Sequence, residues 1–325
     1  MTRFSASETP KANWVPRLAI VIPCYNEEAV LPVTADRMCE ILMDLSSCGL
    51  ISEHSTVTFV DDGSRDATWR IIEELASKNS MVRGVKLSRN RGHQNALMAG
   101  LLTVEGDVTI SVDADLQDDL DAIEEMVRKF RDGSEIVYGV RNRRDTDTFF
   151  KRMTAEGYYK VLAVLGVDVV FNHADYRLMG RSAIEALREY GEVNLFLRGI
   201  IPLLGFKSEL VYYDRKERFA GESKYPLSKM LSLAWNGLTS FSSVPLRWIT
   251  IAGTVISLMS FAIGLWALVI GLSSARVLPG WASTVIPMYF MGGIQLLSLG
   301  IIGEYVSKIY MESKRRPRFI VEKTV

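Results

Sequence analysis

The sequence predicts an α/β protein with a mostly parallel, doubly wound sheet, followed by helices that lie on and in a membrane. One observation is a repeat, at intervals of about thirty residues, of a short apolar strand, a polar loop and a helix. The other is a pair of uncharged apolar segments, residues 249–272 and 285–303. Each is long enough to cross the ~30 Å hydrocarbon layer of a bilayer as a helix.

Composition narrows the class of protein. The 325 residues carry 38 basic and 38 acidic side chains, and this formal net charge of zero argues against a nucleic-acid-binding surface. Cys24, Cys39 and Cys48 are odd in number and lack a Cys-x-x-Cys pattern, which argues against a disulfide framework or a zinc site. The first seventeen residues have no apolar core of signal-peptide length, so we expect no secretion.

The predicted strands share one feature, a run of polar residues directly after the last apolar position. The strands and the runs that follow them are 18–22 with 23–28, 57–60 with 61–64, 85–87 with 88–95, and 108–112 with 113–118. Helices are expected over about 29–46, 67–78 and 96–102. Because parallel strands end at the same edge of a sheet, the four runs are expected to converge on one crevice. A turn or a helix cap explains any single run, but it does not explain why every strand ends this way.

Asp113 and Asp115 follow the apolar strand 108–112 and are candidate metal ligands. Two carboxylates one residue apart on a turn can face a hard divalent cation that keeps positions open for a diphosphate. The alternative is a solvated loop, because the same spacing of aspartates recurs at 119–121 and 145–147. The chain has no P-loop, and no Gly-x-Gly-x-x-Gly follows its first strand, which leaves a metal to neutralise the diphosphate of a nucleotide-sugar.

Two later features allow a functional and an ordinary structural interpretation. Asp175 lies far from the acidic pair in the sequence and could approach the cleft as a general base, but a helix cap or an ion pair with Arg177 is the more common outcome. Residues 226–243 follow a basic loop and carry a broad apolar stripe. This pattern is typical of a helix in the headgroup plane of a membrane, and also of a core helix.

Charges around the two long apolar segments predict their orientation. Arg247 precedes the first segment, Lys308 and the basic run 314–318 follow the second, and the connection carries only Arg276. By the positive-inside rule, both ends of this hairpin lie in the cytoplasm. A nucleotide-sugar cleft held at the inner leaflet makes a lipid the natural acceptor.

Six motifs carry a resemblance to a known family. They are Val-Ile-Pro-Cys-Tyr-Asn-Glu-Glu at 21–28, Asp-Asp-Gly-Ser at 61–64, Asn-Arg-Gly-His-Gln-Asn-Ala at 90–96, Asp-Ala-Asp-Leu-Gln-Asp at 113–118, Gly-Glu-Ser-Lys-Tyr at 221–225 and Gly-Glu-Tyr at 303–305. The chain resembles family-two glycosyltransferases of GT-A fold, specifically polyisoprenyl-phosphate glycosyltransferases. The resemblance is stronger to bacterial undecaprenyl-phosphate glucosyltransferases than to dolichol-phosphate mannose synthases. Such relatives often have Pro-Pro after the fourth motif, where this chain continues with Asp119 and Leu120.

We expect five segments. They are a flexible tail at 1–17, a Rossmann-like GT-A catalytic domain at 18–225, an interfacial amphipathic region at 226–246, a transmembrane hairpin at 247–310 and a basic cytoplasmic tail at 311–325. The resemblance implies a multi-pass protein of the bacterial inner (cytoplasmic) membrane, with the catalytic domain and both termini cytoplasmic. It also implies a homo-oligomer.

The resemblance implies a role for each candidate site residue. Nucleotide-sugar binding falls to Pro23, Tyr25, Glu27, Asp62, Asn90, Gly92 and Asp113. The ligands of Mg²⁺ or Mn²⁺ are Asp113, Asp115 and Gln117, and the catalytic residues are Asp115 and Asp175. Candidates for the lipid phosphate, chosen because guanidinium and ammonium groups bind phosphate oxygens, are Arg141, Arg152, Arg215, Arg218 and Lys224.

The expected reaction is the inverting, metal-dependent transfer of a hexose, foremost glucose from UDP-glucose, to undecaprenyl or another polyisoprenyl phosphate. The lipid-linked sugar would serve envelope polysaccharide or O-antigen modification. The sequence leaves open a UDP-aminoarabinose derivative, UDP-GlcNAc, UDP-galactose or GDP-mannose as donor. A processive polysaccharide synthase shares the amino-terminal motifs, but its Gln-x-x-Arg-Trp motif is missing here. A catalytically silent nucleotide-sugar-binding membrane subunit is a further alternative.

Overall fold

The computed structural model describes residues 14–141, 173–192, 195–214, 244–273 and 281–325. The chain divides into two compact units. Among the described residues, the first unit takes in those up to 214 together with 316–325, and the second takes in those from 244 to 315.

The first unit is built on one eight-stranded sheet. Its strands are β1 (Leu18–Cys24), β2 (Thr56–Asp61), β3 (Val82–Leu87), β4 (Val108–Ser111), β5 (Ile136–Arg141), β6 (His173–Gly180), β7 (Ser208–Tyr213) and β8 (Val321–Thr324). Their order in the sheet is β7-β5-β6-β4-β1-β2-β3-β8. The neighbouring pairs among β1, β2, β3 and β4 are all parallel, as are β5 and β7, which confirms the mostly parallel α/β sheet.

Helices cover this sheet, which explains the apolar character of its central strands. The helices are α1 (Leu31–Ser47), α2 (Thr68–Lys78), α3 (His93–Thr103), α4 (Ala122–Arg131), α5 (Arg181–Arg188) and α6 (Leu197–Leu203). Every residue of β1, β2 and β4 is buried, as is usual for parallel strands with helices on both faces. The predicted helix at 29–46 is observed two residues later at its start, because Pro32 stands in its first turn.

Strand β6 interrupts the parallel order. It lies between β4 and β5 and is antiparallel to both, with Ser111 of β4 opposite Arg177 of β6. The start of an antiparallel strand lies at the same sheet edge as the ends of its parallel neighbours. This arrangement brings Asp175, near the start of β6, to the edge where Asp113 follows β4.

The last residues of the chain form a strand that the sequence analysis did not predict. Strand β8 pairs antiparallel with β3, and Gly84 and Val325 exchange backbone hydrogen bonds of 2.8 and 3.0 Å. A Cβ atom at Gly84 would lie 2.8 Å from Cγ2 of Val325 and 2.4 Å from Cγ2 of Ile72, so glycine is needed for this close packing. Strand β8 therefore covers what would otherwise be an open edge at β3.

The described residues of the second unit include two long helices, α7 (Val244–Ser273) and α8 (Trp281–Ser313). Within them, Val244–Ile263 and Phe290–Ser313 are long and apolar enough to span a membrane. Large apolar side chains on both helices are mostly exposed, for example Phe261 and Leu296, each at 72%. The predicted apolar segments 249–272 and 285–303 fall within these helices.

We expect removal of residues 319–325 to lower the melting temperature of the full-length protein by about 4–8 °C. The loss of β8 exposes the backbone of β3 and uncovers Ile72, which we estimate at about 2 kcal/mol. Thermal melting in detergent measures this change. The matched control is Lys323→Ala, which removes only an exposed ion pair to Glu73 of 2.6 Å and should change stability by less than about 0.5 kcal/mol. An unchanged melting temperature of the truncated chain would show that β8 does not stabilise the sheet.

Candidate active site

The loops after β1 and β2 are joined by hydrogen bonds between backbone and side chains. The backbone N–H of Asn26 donates to Oγ of Ser64 at 2.9 Å, and the carboxylate of Glu28 accepts from the N–H of Ala67 at 2.9 Å. The N–H of Glu27 donates to the hydroxyl of Thr68 at 2.9 Å. These contacts hold the two loops side by side at the carboxyl edge of the sheet.

Asp62 joins the loop after β2 to the loop after β3. Its two carboxylate oxygens accept from the backbone N–H groups of Arg91, at 2.7 Å, and Gly92, at 2.8 Å. Gly63 has a φ of +67°, and a Cβ there would lie 2.6 Å from the backbone nitrogen of Asn90. Only glycine allows this approach, because it tolerates the left-handed conformation and carries no side chain.

The candidate nucleotide-binding residues line this edge. Pro23 is buried near the end of β1, and Tyr25, the first residue after this strand, is 41% exposed. Glu27 is half-buried, and Asn90 is exposed beside Gly63. Asp62 is buried and its oxygens already accept the two backbone N–H groups, so it orders the loop that carries Asn90 and Gly92. The assignment of these residues to base and ribose stays a prediction.

The acidic loop after β4 has an unusual backbone. Leu116, between Asp115 and Gln117, has a φ of +54°, which is rare for a residue other than glycine. The N–H of Gln117 donates to Oδ1 of Asp115 at 3.3 Å, and the hydroxyl of Thr34 on α1 donates to the carbonyl of Ala114 at 2.9 Å. Strained backbone of this kind is concentrated at functional sites, where the surrounding contacts maintain it.

Asp113 lies close to several other carboxylates. Burial raises its pKa to about 6, the carboxylates of Asp118, Asp175 and Asp115 raise it as well, and His93 only partly opposes them. An arrangement of this kind favours a bound cation, which would compensate the carboxylates.

The acidic loop offers ligands that fit a hard divalent cation. Asp113 and Asp115 supply carboxylate oxygens and Gln117 supplies an amide oxygen, the ligand types that Mg²⁺ and Mn²⁺ prefer. Within the part of the chain that the structure describes, no three His, Cys, Asp or Glu side chains are grouped as in an all-protein metal site. A cation held by two aspartates and one amide would keep its remaining coordination positions open to a ligand.

Asp175 occupies the centre of a buried polar cluster. Arg198 contacts both of its carboxylate oxygens at 3.2 Å, and Nη2 of Arg177 donates to Oδ1 at 2.6 Å. Nε2 of His93 lies 3.5 Å from Oδ2 of Asp175 and 3.6 Å from Oδ1 of Asp113. Gln94 donates to the same carboxylate at 3.4 Å. His93 thus connects Asp175 to the acidic loop.

These contacts set the protonation state of Asp175. Burial by itself would raise the pKa of this carboxyl group, but the charge of Arg198, the hydrogen bond from His93 and the charge of Arg177 together hold the pKa well below its usual range. Asp175 is therefore ionised at neutral pH. The ion pair with Arg177, considered from the sequence as the alternative to a role in the cleft, is present, and His93 also connects Asp175 to Asp113.

Of the five candidate phosphate-binding residues, the structure describes Arg141. Arg141, the last residue of β5, has a side chain that is 25% exposed and lies 3.6 Å from Asp118. Arg152, Arg215, Arg218 and Lys224 lie outside the described residues.

Three residues of the cluster, His93, Gln94 and Arg198, were missed by the sequence analysis. His93 belongs to the Asn-Arg-Gly-His-Gln-Asn-Ala motif, and its place at the start of α3, after a polar loop, was an available signal. Arg198 stands among apolar residues on the short helix α6, and nothing in its sequence context indicates a partner 23 residues away.

Comparison with known families identifies the class of this protein as a glycosyltransferase. The chain belongs to glycosyl transferase family 2, whose sequence profile matches residues 19–188. This match spans β1 to α5 and includes every loop that lines the cleft up to Asp175.

Individual relatives match nearly the whole chain. An uncharacterized glycosyltransferase of Bacillus subtilis, YkoT, is 50% identical over 312 residues, which is 94% of this chain and 91% of that protein. A protein of Shigella phage SfV named bactoprenol glucosyl transferase is 36% identical over 307 residues, covering 94% of this chain and 98% of its own. Among solved structures, a mannosyltransferase of Pyrobaculum calidifontis in complex with GDP-Man and Mn²⁺ aligns with a TM-score of 0.45 and 17% identity, covering 90% of this chain and 88% of that one.

We expect Arg198→Gln to destabilise the first unit by about 2 kcal/mol at pH 7, because two charged hydrogen bonds to a buried carboxylate are lost. The low pKa of Asp175 stabilises the folded state above its unfolded pKa of ~4, and this contribution is lost as the pH falls through the lower folded pKa. The difference between wild type and variant should therefore narrow below about pH 4.

Urea unfolding of the full-length protein at pH 7 and at low pH measures this difference. Arg128→Gln is the matched control, because Arg128 forms only an exposed helical pair with Glu124 and should contribute about 0.5 kcal/mol or less. Equal destabilisation by Arg198→Gln at both pH values would contradict the role given to the charge of Asp175.

Proposed function

We propose that the protein transfers a hexose, foremost glucose from UDP-glucose, to undecaprenyl phosphate at the cytoplasmic face of the bacterial inner membrane. The observation that supports this most is the 36% identity to a bactoprenol glucosyl transferase over 94% of this chain. An alignment of that extent takes in both the cleft and the two apolar helices. The lipid-linked sugar would serve envelope polysaccharide or O-antigen modification.

The proposed reaction is a single displacement at the anomeric carbon. A phosphate oxygen of the lipid attacks this carbon, a new carbon–oxygen bond forms, and the bond to the nucleoside diphosphate breaks with its electron pair leaving on the diphosphate. The configuration at the carbon is inverted. A phosphate monoester has a second pKa of ~6 and is largely dianionic at neutral pH, so no proton has to be removed from the nucleophile.

Charge on the leaving diphosphate has to be compensated in the cleft. Asp113, Asp115 and Gln117 would hold Mg²⁺ or Mn²⁺, which supplies Lewis-acid stabilisation of the departing diphosphate when bound. Asp62 would keep the loop of Asn90 and Gly92 in place for the nucleotide through its hydrogen bonds to the backbone. Arg141 would bind the lipid phosphate, together with one or more of Arg152, Arg215, Arg218 and Lys224.

Asp175 fits an orienting role better than that of a strong base. A carboxylate whose pKa is held well below the usual range by Arg198, His93 and Arg177 has little tendency to accept a proton. The nucleophile also needs no base. We assign Asp175 to keeping His93 and Arg198 in place beside the acidic loop, with at most mild assistance to proton transfer.

The two apolar helices support a membrane-bound acceptor. Their large side chains are exposed in the second unit, as expected for surfaces that face lipid. The basic run at 314–318 directly follows α8 and supports a cytoplasmic position for the end of that helix. We propose both termini on the cytoplasmic side and the catalytic unit at the inner leaflet, in a homo-oligomer.

We expect the detergent-solubilised protein to label undecaprenyl phosphate from radiolabelled UDP-glucose in the presence of Mg²⁺ or Mn²⁺, and to lose this activity when a chelator removes the cation. The panel of donors also includes UDP-galactose, UDP-GlcNAc, a UDP-aminoarabinose derivative and GDP-mannose, because the sequence does not distinguish among them. Labelled lipid from another donor would replace glucose in the proposal. Binding of UDP without a lipid product from any donor would overturn the transfer reaction itself.

We expect Asp115→Asn to lower turnover by about a thousandfold or more, since it removes a charged ligand of the cation. Asp175→Asn should cost about tenfold, because a true general base contributes about 10²–10⁴-fold and an orienting group less. Steady-state rates with UDP-glucose and undecaprenyl phosphate measure both. Asp121→Asn, the same change at an exposed position of the same loop, is the control and should leave turnover unchanged. A loss of about a hundredfold or more in Asp175→Asn would restore the base role.

A further inference from the structure

The ends of β5 and β7 meet beside the acidic loop. Arg141 and Tyr213 are the last residues of these parallel strands and lie opposite each other in the register. The hydroxyl of Tyr213 donates to Oδ1 of Asp118 at 2.5 Å, and Nε of Arg141 donates to that hydroxyl at 3.3 Å. Nη2 of Arg141 lies 3.6 Å from the same oxygen of Asp118. The three side chains form a closed triangle.

Two of the three side chains in this triangle are buried. Asp118 is 2% exposed and Tyr213 is 3% exposed, while the side chain of Arg141 is 25% exposed. A buried carboxylate is stable only when it is paired and hydrogen-bonded, so Asp118 constrains the positions of both partners. The ring of Tyr213 is also fixed, because it packs edge-on against Tyr176 with 5.2 Å between ring centroids.

The direction of the hydrogen bonds is defined. Burial raises the pKa of Tyr213, and the charge of Asp118 raises it as well, so the hydroxyl keeps its proton. The hydroxyl of Tyr213 donates its hydrogen bond to Asp118, and its oxygen accepts one from Nε of Arg141. The bonds therefore run from Arg141 through Tyr213 to Asp118, and the guanidinium cannot rotate about its stem without breaking them.

The triangle also connects two parts of the site. Asp118 directly follows Gln117 in the acidic loop. Asp113, in the same loop, interacts electrostatically with the guanidinium of Arg141. Arg141 is thus held by the same loop that carries the candidate cation ligands. A phosphate oxygen bound by this guanidinium would lie next to those ligands.

We propose that Asp118 and Tyr213 are positioning residues that fix the guanidinium of Arg141 for the phosphate of the acceptor lipid. This inference rests on the proposed function, in which Arg141 binds that phosphate. The ligand chemistry, a phosphate oxygen, is shared by the lipid phosphate and the donor diphosphate, so the experiment has to distinguish the two.

The central variant is Tyr213→Phe in the full-length protein, which keeps the ring and removes only the hydroxyl. With UDP-glucose and undecaprenyl phosphate, we expect the KM for the lipid to rise about tenfold, while kcat at saturating lipid and the KM for UDP-glucose change by less than about twofold. Arg141→Lys keeps the charge but loses the Nε donor, and should raise the KM for the lipid by a similar factor. The double variant should be no worse than either single variant, because both remove the same interaction.

Tyr176→Phe is the matched control. Its hydroxyl is on the partner ring of the same pair and donates to the backbone carbonyl of Asp119 at 3.0 Å, so its loss perturbs the neighbouring loop without removing a bond to Arg141. We expect it to leave the KM for the lipid unchanged. Asp118→Asn keeps an acceptor for Tyr213 and should rescue most of the affinity that Asp118→Ala loses. Melting temperatures of all variants separate misfolding from a weakened phosphate site.

Three outcomes would overturn the inference. The first is a rise in the KM for UDP-glucose instead of the lipid, which would place Arg141 on the donor diphosphate. The second is an equal effect of Tyr176→Phe and Tyr213→Phe, which would indicate general loosening of the loop. The third is independent, multiplicative effects of Tyr213→Phe and Arg141→Lys. Failure of the wild-type protein to form any lipid product would instead refute the proposed function. The assay of the wild-type protein alone tests this, independently of the comparison among variants.

Discussion

The site depends on the compensation of five aspartates that the fold gathers at one edge of a sheet. Asp62 accepts two backbone N–H groups, Asp175 is paired with Arg198 and Arg177, and Asp118 is held by Tyr213 and Arg141. Each of these carboxylates has donors supplied by the chain itself. Burial raises the pKa of Asp113 to about 6, and the neighbouring carboxylates add to this rise. A cation bound beside Asp113 would compensate this concentration of negative charge.

The order and direction of the strands create this arrangement. Parallel strands β1, β2, β3 and β4 end at one edge, so the loops that follow them are neighbours. The antiparallel strand β6 enters between β4 and β5 and starts at that edge, which brings Asp175 beside Asp113 through His93. Strands β5 and β7 end there too and supply Arg141 and Tyr213. The insertion of β6 thus places Asp175 at the same edge to which β5 brings Arg141.

The reaction proposed for the site does not require a strong general base. A phosphate monoester is already a nucleophile at neutral pH, so positioning and charge compensation are the contributions that remain for the protein. The structure is rich in groups of that kind. Asp175 pairs with Arg198 and Arg177, and Asp118 accepts a hydrogen bond from Tyr213 and lies beside Arg141, so both carboxylates constrain cationic side chains.

The sequence by itself determined the features that depend on local pattern. Apolar runs followed by polar clusters located strands β1 to β4 and their loops, the acidic pair after β4, and the two apolar helices, because periodicity and length carry that information. The tertiary structure alone decided the pairing of β8 with β3, the insertion of β6, and the partners of Asp175 and Asp118. Arg198 lies 23 residues from Asp175 and Tyr213 lies 95 residues from Asp118. Contacts of that range follow from strand order and register, which no local pattern in the sequence encodes.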